Sequence, residues 1–283
     1  MNVDWNNKVE QDFRKRILVD ADNPILAFKA NRDRYTSLPN QAKYAGLPHL
    51  GSWQSEDALT WNVFRFLQKA RRLDISAEWL RFDIGRPTAL LIWCLAPEID
   101  GVAGELQFRL GDLIRRSDGL LRGQIGEPDV VIQGTEGIAV IECKLGEPGK
   151  ALSHLWEGST EQRIERRLSR YKEDVQGLRK VNAAAIMPIY QLVRMAYYAI
   201  MLGKSYELPP AVISIGNDSN CSIEIRRLGK SADQLWHEFR ELAGHLKVFC
   251  SSTTWQALLP IIENEGVDTL YQYLSRHPCF RDQ

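Results

Sequence analysis

The sequence predicts a mixed α/β domain of the α+β kind, a central mixed sheet flanked by helices. Three observations lead there. The β-rich runs 129–133 and 138–145 are separated by four turn residues, Gly134 to Gly137, and read as a hairpin. Long helical patterns, at about 160–180 and 188–203, follow it directly. Two further strand-like runs, 211–216 and 247–253, then alternate with an amphipathic helix at 232–246. The order of helix, hairpin, helices, strand, helix and strand is that of a layered α/β architecture.

Each remaining element has a local reason. Residues 1–50 are polar with short apolar patches and are broken at Asn23-Pro24, Pro39-Asn40 and Pro48, as expected of a helical or irregular extension. Ser55-Glu56-Asp57 is a helix start, with a capping hydroxyl followed by two acids that the helix dipole favours. Ala58, Leu59, Trp61, Val63, Phe64, Phe66 and Leu67 supply that helix with apolar content. The run 88–96 is too short for a bilayer and reads as buried. An amphipathic helix is expected near 105–116. Pro188 suits a first helical turn and Gly203 the position after a helix end. Residues 222–226 alternate as a strand, and two apolar-patterned helices close the chain. The expected organisation is an extension over 1–50, a core domain over 51–255, and helices packed on it over 256–283.

Composition bounds the function. The 283 residues carry 36 Lys+Arg against 36 Asp+Glu, which argues against a protein that coats nucleic acid by bulk charge and leaves room only for a local basic groove. The five cysteines (Cys94, Cys143, Cys221, Cys250, Cys279) form no C-x-x-C pair, so neither a disulfide framework nor a structural zinc site is expected, and a reducing cytoplasmic setting fits. Residues 1–10 are too polar for the apolar centre of a signal peptide. The run 183–203 is long enough to span a membrane. It carries Gln191 and Arg194 at its middle, however, and a mid-bilayer arginine costs roughly 3 kcal/mol, so a core-facing helix is expected and no membrane partner.

The chemistry concentrates on the hairpin. With its turn centred between Thr135 and Glu136, paired residue numbers sum to 271, which sets Asp129 opposite Glu142 and Glu127 opposite Lys144. Directly opposed Cβ atoms lie about 5 Å apart on one face. The two-residue period puts Glu142 and Lys144 on one face and Ile141, Cys143 and Leu145 on the other. Two carboxylates that close repel by roughly 3 kcal/mol at an effective dielectric of about 20. They need a shared proton, a basic neighbour or a divalent metal, and hard oxygens at this spacing suit Mg²⁺, with Mn²⁺ as substitute. The bland alternative is a solvated cross-strand ion-pair ladder. Ile138 and Val140, on the same face as Glu142, argue against it.

Pro128-Asp129 followed by Glu142-Cys143-Lys144 at the end of the next strand resembles the signature of the PD-(D/E)XK nuclease superfamily. The resemblance covers residues 50–255 and implies a restriction-endonuclease-like core: a helix, a three-strand meander, a further helix and another strand. It implies Asp129 and Glu142 as metal ligands and Lys144 as the catalytic lysine. It also implies an acid on the preceding helix, Glu56 or else Glu105, and a glutamine on the following helix, Gln191, with Arg194 and Tyr198 on the same helix face. The expected activity is Mg²⁺-dependent hydrolysis of phosphodiester bonds, endonucleolytic and in double-stranded DNA, with a homodimer as a common arrangement for cutting both strands. The alternative is a non-catalytic nucleic-acid-binding or scaffold protein that retains the fold.

Other motifs lead less far. Gly203-Lys204-Ser205 resembles the end of a P-loop, but Tyr198 stands where its first glycine belongs. The five histidines lack metal-binding spacing. Trp156 is a candidate for base stacking. The stretch 162–180 holds seven Lys/Arg against Glu165, Glu173 and Asp174, so one helix face could follow a phosphate backbone.

Overall fold

In the computed structural model, residues 8–35, 37, 42–52, 54–118, 127–145, 161–216, 224–225, 230–277 and 280 are described. The chain divides into two compact units, Met1–Trp79 with Trp255–Gln283, and Leu80–Thr254.

The second unit is built on a five-stranded mixed sheet. Strands β1 (Pro87–Ile92), β2 (Val130–Gly134) and β3 (Ile138–Cys143) form an antiparallel meander. Strands β4 (Pro210–Gly216) and β7 (Phe249–Thr254) extend it in parallel, giving the order β1-β2-β3-β4-β7. Two-residue strands β5 (Glu224–Ile225) and β6 (Lys230–Ser231) pair separately; β5 lies within the run 222–226 read as a strand. The hairpin register is the expected one, Val130 opposite Ile141 through Gln133 opposite Ile138.

One sheet face carries the row Leu91, Val131, Val140, Val212 and Cys250 in register across all five strands. Helices pack on it because each presents an apolar stripe: α4 (Gly101–Asp118), α5 (Glu161–Asp174), α7 (Tyr190–Tyr206) and α8 (Ala232–His245). A short α6 (Ala183–Ile186) precedes α7. Along α5 the buried residues are Ile164, Leu168 and Tyr171, spaced as one helix face requires. The stretch Ala183–Tyr206 is long and apolar enough to cross a membrane, and 72% of its most apolar window is buried within the protein.

Two helix boundaries differ from the sequence reading. Pro188 lies in a 3-10 turn, Met187–Ile189, ahead of α7. Gly203 lies inside the last turns of α7, not beyond them. The left-handed terminal position falls to Glu207 (φ 55°), and a Cβ on Gly203 would come 2.7 Å from the Leu208 carbonyl oxygen. The glycine is there to let the chain fold back closely, not to end the helix.

The hairpin turn explains a second glycine. The Gly134 N–H donates to the Gly137 carbonyl at 2.9 Å, while a Cβ on Gly134 would stand 2.0 Å from the Ile84 carbonyl oxygen.

The first unit is helical: α1 (Pro24–Arg32), α2 (Glu56–Lys69), α3 (Ile75–Leu80, whose last residue falls in the second unit), α9 (Leu258–Asn264) and α10 (Asp268–Leu274). Ser55 caps α2 as expected, its Oγ accepting from the Ala58 N–H at 3.1 Å. Asn62, fully buried in α2, satisfies both ends of its amide. Its Oδ1 accepts from the Leu18 N–H, and its Nδ2 donates to the Arg16 carbonyl and the Tyr273 hydroxyl. Trp79 packs on Phe64 and Trp255, with ring centroids 5.7 and 5.5 Å away.

A buried Lys29 ties α1 to α2, reaching Asp33 at 2.9 Å and Asp57 at 3.1 Å. Burial alone would push the Asp33 carboxyl up, but hydrogen bonds from Arg32 and Lys29, with their charges, outweigh it and hold it below the usual value. Asp20 is lowered likewise: burial opposes, while bonds from Asn23 and Arg65 and the charges of Arg65 and Lys69 prevail.

Two outcomes are expected. Gly134→Ala should cost about 2 kcal/mol in urea unfolding, because the new methyl can only be fitted by moving backbone. Both carboxyls titrate lower when folded, so their contribution is complete above the unfolded value of about 4 and is lost as pH falls through the depressed folded values. Acid titration followed by circular dichroism should therefore show a steep loss below about pH 4, and Asp33→Asn should make it shallower.

Candidate active site

The apolar row Val131, Val140 and Val212 is followed, one step along the same face, by a polar one. Glu142 is paired with Ser214 and Ser214 with Ser252. Asp129 directly precedes β2, where continuation of the ladder sets it opposite Glu142. Its backbone is fixed by the Trp93 N–H, which donates to the Asp129 carbonyl at 2.9 Å.

Asp129 turns its side chain onto β3. One carboxylate oxygen, Oδ2, accepts from the Cys143 N–H at 2.7 Å and lies 3.7 Å from the Lys144 ammonium. Glu142 Oε1 lies 2.8 Å from the same nitrogen and also accepts a short hydrogen bond from Gln191 Nε2. Lys144 continues the sheet past β3, its N–H donating to the Ile215 carbonyl at 2.8 Å. The three ionic side chains are at least four-fifths buried, at 16%, 3% and 18% exposed for Asp129, Glu142 and Lys144. An ammonium between two carboxylates is the compensation their repulsion demands.

Gln191 is the second residue of α7, so the start of that helix faces Glu142 and its positive dipole end favours the carboxylate. Arg194, one turn on, is buried with its guanidinium over the Tyr190 ring, 5.8 Å from the centroid. Tyr198, also buried, belongs to the apolar core of the helical layer.

The structure thus brings together Asp129, Glu142, Lys144 and Gln191. Glu105 does not join them: it is half exposed on α4 and held by Arg109 at 2.7 Å. Glu56 belongs to the first unit, in the opening turn of α2. Among the described residues, no three or more His, Cys, Asp or Glu side chains form a group that could hold a metal ion. The protein donors on offer are therefore the carboxylates of Asp129 and Glu142, hard oxygens that fit Mg²⁺, which commonly takes one or two carboxylates and completes its shell with water and phosphate oxygens. Trp156 lies outside the described residues.

Sequence reasoning missed two contributors. Ser214 and Ser252 join the polar row through strand register; the signal was the break at Ser214 in an otherwise apolar run. The second is the turn after β1, where Trp93 (φ 50°) and Cys94 (φ 65°) are consecutive left-handed residues closed by an Ile92–Leu95 bridge. Side chains in that region cost about 1 kcal/mol or more each. This turn delivers the N–H that holds Asp129, and no glycine or asparagine marks it.

Comparison of the chain with protein-family models, with curated proteins and with solved structures gives no significant match.

The Asp129–Cys143 bond separates structure from chemistry. Asp129→Ala should cost about 1–3 kcal/mol in denaturant unfolding, by stranding the buried Cys143 N–H at the end of the central strand. Asp129→Asn, whose Oδ1 can accept the same bond, should keep most of that stability while losing the negative charge.

Proposed function

We propose that the Leu80–Thr254 unit is a metal-dependent nuclease that hydrolyses phosphodiester bonds, in DNA and endonucleolytically, with a restriction-endonuclease-like core of the PD-(D/E)XK type. The observation that carries the reading is the convergence of two carboxylates from adjacent strands on one buried ammonium, above an apolar sheet face. Asp129 and Glu142 would hold Mg²⁺, which when bound supplies an acidified water and screens charge on the phosphate oxygens.

The chain's own groups do the rest. Lys144, once the carboxylates have a cation to hold, directs its ammonium to the attacking water or to the charge that grows on the phosphate in the transition state. Gln191 fixes the Glu142 carboxylate through its amide N–H, so that the acid presents one orientation. The Cys143 N–H does the same for Asp129. The low polarity of the face beneath strengthens each of these interactions relative to water.

A second reading has its own support: the trio already pairs within itself as an ionic clamp at the end of the central strand, as a non-catalytic nucleic-acid-binding protein with this fold would have it. Two measurements separate them. Lys144→Ala should remove Mg²⁺-dependent cleavage of plasmid DNA while the circular dichroism spectrum is kept; unchanged cleavage would sink the assignment. Mn²⁺ should raise the melting temperature of the wild type, and Asp129→Asn should abolish that shift, whereas a clamp alone would show none in either protein.

A further inference from the structure

We infer that the last turn of α4 and the outer face of α5 form a docking tract for the phosphate backbone of duplex DNA; the inference rests on the nuclease reading and names where its substrate lies. Arg115 and Arg116 end α4 with 55% and 73% of their side chains exposed. On α5 the stripe Ile164, Leu168 and Tyr171 faces the core. Arg166 and Arg170, a turn apart, fall off that stripe. The two helices are pinned together at this point: Arg170 Nη1 donates to the carbonyls of Arg116 and Ser117, at 3.1 and 3.0 Å. A cation is favoured there by the negative end of the α4 dipole and by carbonyls that the helix itself leaves unpaired. Four arginines from two helices thus flank a junction that Arg170 bridges.

Acid compensation is partial. Asp112 pairs with both Arg115 and Arg116, at 3.7 and 2.5 Å. Of the acids of α5, Glu165 is engaged by Lys172 and the Ala183 N–H and Asp174 by the Tyr197 hydroxyl, while Glu173 is exposed near Arg170 and offsets one of the charges. In a chain whose formal charge is zero, this concentration is local. It suits a regularly charged polyanion, since guanidinium forks match phosphate oxygens.

A hydrogen bond links α5 to the helix that serves the candidate site. Tyr171, next to Arg170, shares a hydrogen bond of 3.1 Å with the Tyr190 hydroxyl. Tyr190 and Gln191 are the first two residues of α7, and Gln191 holds Glu142. Arg170 therefore belongs to the same helical layer as α7, whose second residue holds Glu142.

The test is fluorescence anisotropy with a labelled duplex of about 30 base pairs, in EDTA so that nothing is cut, over about 50–200 mM salt. Arg115→Gln with Arg116→Gln should weaken binding at least tenfold and reduce the salt slope by about 2, and Arg166→Gln alone should reduce it by about 1. Arg276→Gln, an exposed arginine of the other unit, should bind like the wild type. Melting temperatures establish that the variants are folded. Unchanged slopes in folded arginine variants, an equal loss in Arg276→Gln, or arginine-dependent binding to phosphatidylserine vesicles in preference to the duplex would each overturn the tract. Arginine-dependent binding without Mg²⁺-dependent cleavage would keep the tract and remove the nuclease. Cleavage undiminished in the arginine variants would do the reverse.

Discussion

The antiparallel pairing of β2 with β3 is the constraint on which the candidate site depends. A strand's side chains alternate faces, so slipping this ladder by one residue would send Glu142 to the opposite face and leave Asp129 facing the wrong neighbour. The register is secured from several sides. The four-residue turn is closed between Gly134 and Gly137, and a carbonyl from the Ile84 backbone crosses so close to Gly134 that no side chain fits. Val131 and Val140, opposite each other, are fully buried, which penalises any shift that would bring a polar residue into their place.

On this footing the end of the central strand can carry charge. Carboxylates in a mostly buried position are tolerated where each is answered by a donor or a cation, and here the answers come from three parts of the fold. The Cys143 N–H and the Lys144 ammonium come from β3 and the residue after it, the Gln191 amide from α7, and the backbone N–H that anchors Asp129 from the strained turn after β1. A change in any of these would act on the acids without touching them. This arrangement also explains why α7 is so apolar: from Leu192 to Ile200 every residue is buried, in the layer that packs on the sheet face supporting the site.

The first unit shows the same economy with different means. Its polar interior is organised by single side chains with several partners, Asn62 with three hydrogen bonds and Lys29 with two carboxylates, set among Trp61, Phe64, Trp79 and Trp255. Fully satisfied buried polar groups of this kind favour one packing over its neighbours, since any rearrangement leaves a donor or acceptor dry.

By itself the sequence determined whatever depends on near neighbours along the chain. The hairpin, its register, the Ser55 cap and the stripes of the helices follow from periodicity and turn chemistry, so Asp129, Glu142 and Lys144 could be set side by side from number alone. Gly203 misled because its smallness serves a contact with Leu208 that forms only when the chain doubles back. The left-handed pair Trp93–Cys94 and the seating of Arg170 on the end of α4 left no local trace. Only the tertiary structure decided these, and with them the hold of Gln191 on Glu142. They join residues tens of positions apart, and their geometry is imposed by packing against the sheet, not by any preference of the residues themselves.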